Sequence, residues 1–144
     1  MADIPALPTH LTLEIVTPDR SVVAEKVDEV EIPGGEGYFG VLPGHTPLLA
    51  ILKAGELWYR KGSEKYYLLI AFGFAEVLPD RVTILAEIAE RPDEIDVARA
   101  EAAKRRAEER IAKPPADVDF ERAQIALVKA IVRIQVSTRV RTRV

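Results

Sequence analysis

Arg99 and Arg106 stand about two turns apart on a predicted helix, so both guanidinium forks project from one face. Forks placed this way can hold phosphate oxygens. Asp96, one turn earlier, can accept from a base amine or a ribose hydroxyl, and Glu90 lies just ahead of it. An exposed, ion-paired helix face has the same spacing, and spacing alone favours that plainer reading. Other chemistry has little to assemble from. The chain has no cysteine, its two histidines, His10 and His45, lie in dissimilar contexts, and serine is sparse, so metal and nucleophile constellations lack parts. Glu36 is best read as a solvated turn carboxylate, and His45 as a hydrogen-bonding turn residue. Gly34-Gly35-Glu36-Gly37 resembles a phosphate loop only in its glycine content, because no Lys-Ser/Thr pair follows and no helix begins there. No catalytic residue and no metal ligand is assigned.

The charges are unevenly spread. Residues 1–90 hold 7 Lys/Arg against 14 Asp/Glu, whereas residues 114–144 hold 6 against 3, within a net charge of −3. The basic set, Arg122, Lys129, Arg133, Arg139, Arg141 and Arg143, suits an acidic partner. No aromatic residue lies among them after Phe120, so base stacking is unavailable, no nucleic-acid partner is expected, and an acidic protein surface is. The longest apolar run, Tyr66 to Ala75, is too short to span a bilayer, and Met1 to His10 lacks the features of a signal peptide. The expectation is a protein neither inserted in a membrane nor exported.

These residues are positioned around a corner, Pro33 to Leu52, which gathers five of the eight glycines and three of the ten prolines between apolar runs. Gly40 and Gly44 are its candidates for φ > 0. Alternating or apolar stretches at 11–16, 21–25, 27–32, 38–42 and 46–52 read as short strands, and 55–60 with 65–70 as a hairpin. A second hairpin is expected at 72–78 and 81–87. Short, closely spaced strands imply an antiparallel sandwich or flattened barrel. At Arg91-Pro92-Asp93 the period changes, and Asp93 is the expected N-cap of a helix running to about Lys113. Its apolar side is built from Ile95, Ala98, Ala102, Ala103, Ala107 and Ile111, mostly methyl groups. Pro114-Pro115 ends it, and Asp117 or Asp119 caps a second helix with apolar positions Phe120, Ala123, Leu127, Ala130, Ile131 and Ile134. The stretch from Val136 to Val144 alternates like a strand, and the expectation is a frayed or alternatively structured end.

The glycine-rich corner ending in Pro43-Gly44-His45-Thr46-Pro47-Leu48-Leu49, then Gly55-Glu56-Leu57, then Ile95-Asp96-Val97-Ala98-Arg99-Ala100 opening a helical hairpin, resembles the epsilon subunit of F-type ATP synthase from about Leu11 to Ile134. That resemblance implies a β-sandwich of about ten strands followed by a helical hairpin. It implies a non-catalytic rotor subunit, coupling proton-driven rotation to ATP synthesis, with the gamma subunit and the c-subunit ring as partners. It also places the chain peripherally on the cytoplasmic face of the cell membrane. Glu36, Tyr38 and His45 match positions in or near the ring contact, although Tyr38 stands where relatives carry a carboxylate. The hairpin resembles a regulatory arm that inhibits ATP hydrolysis when it extends, its basic residues Arg122, Lys129, Arg133, Arg139, Arg141 and Arg143 meeting the catalytic beta and alpha subunits. Ile95, Asp96, Arg99 and Ala100 match the ATP-binding motif of some members, and Glu90, Arg106, Lys129 and Arg133 match its further contacts. ATP is thus implied as a regulatory ligand, and no cofactor as a requirement. A free-standing ATP sensor on a β-sandwich core is the alternative.

The expected division is a sandwich domain at 1–91 and an arm at 92–144. A fragment ending at Arg91 is expected to unfold cooperatively in urea; a broad, non-cooperative transition would move the boundary.

Overall fold

The computed structural model describes residues 6–113 and 119–140. Eight strands come first: β1 (Leu11–Val16), β2 (Ser21–Val27), β3 (Glu29–Gly34), β4 (Gly37–Val41), β5 (Leu48–Leu52), β6 (Gly55–Lys61), β7 (Glu64–Leu78) and β8 (Arg81–Glu90). Two helices follow, α1 (Val97–Ala112) and α2 (Phe120–Ser137), packed side by side as a hairpin. The strands run in the order β2-β1-β8-β7-β5-β3-β4, and β6 bridges β3 and β7. Because β3 also meets β5 at Gly34↔Leu52, the ladder β3-β6-β7-β5 closes on itself, giving the flattened sandwich.

The structure has eight strands where the resemblance implies about ten. The two expected strands at 65–70 and 72–78 are one fifteen-residue strand, β7, whose first half pairs with β6 and whose second half pairs with β5. It bends at Phe72 (φ 62°) and Gly73 (φ 114°) while its register with β8 holds from Leu69↔Glu90 to Leu78↔Arg81. The sheet is not wholly antiparallel either. β1 lies parallel to β8, Thr12↔Arg81 to Val16↔Leu85, because the chain reaches β8 only after crossing the sandwich.

Alternation fills the core. Leu11, Leu13 and Ile15 of β1, Val30 and Ile32 of β3, Leu68 and Ile70 of β7, and Val82 and Ile84 of β8 all point inward and are fully buried. Leu69 points the other way and is just as buried, since Val132 and Val136 of α2 cover it, with Ile88 and Ile95 alongside. That small cluster seats the arm on the outside of the sandwich.

Of the corner glycines, Gly44 takes the expected left-handed φ of 87°, whereas Gly40 does not and faces open space. Gly73 is the most constrained position. A Cβ built there would lie 1.9 Å from the Leu85 carbonyl oxygen, on top of its positive φ. Gly73→Ala should therefore cost at least about 2 kcal/mol in urea unfolding, and Gly40→Ala no more than about 0.5 kcal/mol. Equal effects would remove the bend as a constraint on the fold.

Candidate functional site

The connection from sheet to arm is shaped by Pro92, which opens a 3-10 turn at Pro92–Glu94 instead of the helix expected from an Asp93 cap. Ile95 then stays extended, φ −83° and ψ 122°, so that its side chain joins Leu69, Val132 and Val136 under the arm. Asp96 is the true N-cap of α1: its Oδ1 accepts from the Arg99 backbone N–H at 3.1 Å. On α2 the expected alternative is resolved in favour of Asp119, which accepts from the Arg122 N–H in the same way. The apolar face of α1 is the expected one at Ile95, Ala102, Ala103, Ala107 and Ile111, with one exchange. Ala100 and Ala107 are buried and Ala98 is exposed. On α2, Ala123 and Ala130 are buried with Val132 and Val136, whereas Phe120 and Ile131 lie exposed. Neither the frayed end nor the strand pattern appears up to Val140, since α2 continues to Ser137 and a 3-10 turn covers Thr138–Val140.

A cleft of about 360 Å3 opens between α1, α2 and the end of β8. Glu90, Asp96, Arg99, Ala100, Arg106 and Arg133, read from the sequence as one set, all line it. Ile95 and Lys129, read with them, do not: Ile95 is turned into the apolar cluster, and of α2 only Arg133 reaches the lining. Glu94 and Ala103 complete the wall. Glu94 pairs with Arg20 from the β1–β2 turn, a neighbour 74 residues away that no local pattern could announce. Arg133 grips Glu90 in a bidentate bond, Nε to Oε1 at 2.8 Å and Nη2 to Oε2 at 3.4 Å, each side chain little more than a quarter exposed. Arg99 and Arg106 stand exposed on α1, and among the described residues neither has a carboxylate at ion-pair distance. The cleft therefore presents two uncommitted guanidinium groups and a third already neutralised, with the small side chains of Ala100 and Ala103 beside them. Such a wall suits an oligophosphate.

The corner makes a second feature. Glu36, Tyr38 and Phe39 border a hollow of about 620 Å3 together with Leu49 and Ile51 of β5. His45 lies apart, its Nδ1 2.6 Å from the Thr46 carbonyl oxygen. Tyr38 is half exposed but not loose, since its hydroxyl accepts from the Glu56 backbone N–H at 3.1 Å and its ring lies under the Lys53 ammonium. Beyond the hollow, Ile51, Phe74 and Leu85 face each other across β5, β7 and β8 on the outer side of the sheet. They are 67%, 50% and 52% exposed, and Leu49 beside them 71%. The sequence held a signal for this row: Leu48-Leu49-Ala50-Ile51-Leu52 is apolar on both strand faces, and one core can cover only one.

Comparison with known proteins decides what carries these features. The chain matches the family described as ATP synthase, Delta/Epsilon chain, over its beta-sandwich domain at residues 10–92 and its long alpha-helix domain at residues 93–138. It belongs to that family. It is 55% identical over 130 residues to ATP synthase epsilon chain 2 of Syntrophotalea carbinolica, covering 90% of this chain and 94% of that one. It is 54% identical to the epsilon chain of Syntrophobacter fumaroxidans over 88% and 95% of the two chains. Among solved structures, a chain in the cryo-EM structure of the Euglena gracilis mitochondrial ATP synthase, OSCP/F1/c-ring, superposes with a TM-score of 0.80 at 27% identity, over 91% of this chain and 82% of that one.

Within this epsilon-type chain, a non-catalytic subunit, the basic residues of α2 do not form one free surface. Arg122 is exposed, Lys129 is half-buried, Arg133 is held by Glu90, and Arg139 is held by Glu56. Arg141 and Arg143 lie outside the described residues. No helix of the described residues is long and apolar enough to cross a membrane.

Asp96 carries two assignments, cap and ligand, that substitution can separate. Asp96→Ala should lose about 1 kcal/mol of α1 stability, seen as faster hydrogen exchange in its first turn, whereas Asp96→Asn keeps the cap. Equal exchange in the two variants would show that the cap contributes nothing.

Proposed function

We propose that the chain is a rotor subunit of the central stalk, peripheral to the cytoplasmic face of the cell membrane, whose helical arm is set by ATP. The sandwich binds a gamma-type subunit through the outer row Leu49, Ile51, Phe74 and Leu85. Four large apolar side chains left in water on adjoining strands favour a protein partner of that kind. The corner, with Glu36 and Tyr38 on its hollow and His45 nearby, meets the c-subunit ring. Family membership and the likeness to ATP synthase epsilon chains support this half of the reading.

The observation that carries the regulatory half is the convergence of Arg99, Arg106 and Arg133 on one cleft, with Asp96 and Glu90 at its rim. ATP phosphates lie along Arg99 and Arg106, and Arg133 joins them by sharing or leaving Glu90. Lys129 remains a reserve contact that needs a side-chain swing to reach the cleft. Because α1 and α2 line the cleft together with β8, a ligand there binds the folded arm and stabilises it by RT ln(1 + [L]/Kd), about 2.7 kcal/mol at a hundredfold excess. With ATP scarce the arm extends. Arg133 and Arg139 then lose their carboxylates and become available, with Arg122, Lys129, Arg141 and Arg143, to acidic surfaces of the catalytic beta and alpha subunits, which slows hydrolysis.

Calorimetric titration of the full chain with ATP tests this reading. Wild type should bind one equivalent, and the Arg99→Ala/Arg106→Ala variant should bind at least about a hundredfold more weakly, as expected when two charge-assisted contacts of about 1.5–3 kcal/mol each are removed. Unchanged binding in the double variant would take the nucleotide out of this cleft.

A further inference from the structure

The far end of the arm is tied to the sandwich two strands away from the cleft residue Glu90, since Glu56 of β6 pairs with Leu69 of β7 and Leu69 with Glu90 of β8. Glu56, second residue of β6, is only 9% exposed and is the one charged side chain among the buried residues described. Arg139, just past α2, closes on it with Nε to Oε2 at 3.1 Å and Nη2 to Oε1 at 3.0 Å. Its guanidinium carbon lies 4.5 Å from the centre of the Tyr67 ring on β7. The hydrogen bond to the Glu56 carboxylate raises the Arg139 guanidinium above its already high ordinary value. Backbone geometry holds Glu56 in place from behind, where its N–H donates to the Tyr38 hydroxyl and Gly55 leaves room for that tyrosine.

We propose that Glu56, Arg139 and Tyr67 form a charged latch that docks the end of the arm on the sandwich without help from a ligand in the cleft. The inference rests on the reading of the hairpin as a movable arm, and it adds a second hold whose regulation differs from that of the first. Arg133 and Arg139 are six residues apart and bind carboxylates on two different strands, β8 and β6. Two such anchors, about 9 Å apart along the helix axis, set both the rotation and the axial position of α2. A ligand that draws Arg133 from Glu90 loosens only one of them.

The chemistry of a dehydrated ion pair gives the latch a recognisable signature. When the arm is docked, Glu56 is largely shut off from water and has Arg139 as its charge partner; when the arm leaves, water replaces the guanidinium. Removing one partner therefore favours the open arm strongly, because docking would bury an unpaired charge. Removing both as neutral isosteres costs much less, because two amides can pair. A helix end held by shape alone would show the opposite: two truncations adding up.

Hydrogen exchange of the full chain, read at α2 amides such as Val132 and Val136 with β1 and β8 amides as internal reference, tests the proposal. Arg139→Gln and Glu56→Gln should each raise the opening constant of α2 about tenfold while leaving the strand amides unchanged, and Glu56→Gln/Arg139→Gln should return to within about threefold of wild type. Wild-type opening should rise with NaCl, and opening in the double variant should not. ATP titrated into Arg139→Gln should bind with an apparent affinity lowered only by the smaller docked fraction. Single variants that exchange within twofold of wild type, or a double variant as open as the worse single one, would overturn the latch. Failure of wild type to bind ATP, with α2 opening in Arg139→Gln, would overturn the nucleotide reading and leave the latch standing.

Discussion

β7 pairs with β6 and then β5 in one continuous register, Lys61↔Glu64 to Leu48↔Val77, and it turns where its backbone lies against the Leu85 carbonyl without a Cβ between them. Gly73 provides that position, next to Phe72 in a left-handed conformation. The rest of the molecule depends on it. Before the bend, β7 offers Leu69 to the arm and Tyr67 to the latch; after it, the same strand offers Phe74 to the exposed apolar row. One strand thus carries the seat of the helical arm and part of the surface proposed for the rotor partner.

The arm sits on this frame by a mixture of small apolar contact and local charge. The apolar seat is limited to Leu69, Val132 and Val136 with Ile88 and Ile95 at its edge, and α1 meets α2 largely through alanine. Little area is removed from water, so the apolar stabilisation of the docked state is a few kcal/mol at most, on a scale of about 25 cal/mol per Å2. The two bidentate pairs add direction more than strength, since each must offset the dehydration of its charges. A helix held this way has a defined position and a modest hold, which is the physical requirement for a switch that a ligand can tip.

The two surfaces proposed for partners differ in kind. The row Leu49, Ile51, Phe74 and Leu85 is apolar, rigid and built on paired strands, as suits a lasting interface. The corner is a turn with Glu36 at its rim, and Tyr38 ties it to the strand that bears the latch. The nearness of corner and latch is a property of β6, whose first two residues serve both.

Much of this was legible in the order of residues. Turn chemistry at Pro33 to Gly44, strand alternation up to Glu87 and helical periodicity after Pro92 are local properties of the backbone and its side chains, so the β-sandwich and the helical hairpin could be read directly. Six of the cleft residues were also legible, since Glu90, Asp96, Arg99 and Arg106 form one set by position and the family resemblance supplied Ala100 and Arg133. What the sequence could not show was which charges meet. The parallel pairing of β1 with β8, the Arg20–Glu94 contact and the Glu56–Arg139 pair join residues tens of positions apart. The edge of the α1 face was decided the same way: Ala98 fits the 3.6-residue period as well as Ala100 does, but only Ala100 is buried against its neighbours. Periodicity determines that a helix has an apolar side, and only the packed sheet decides which side that is, because burial is a property of the neighbours and not of the residue.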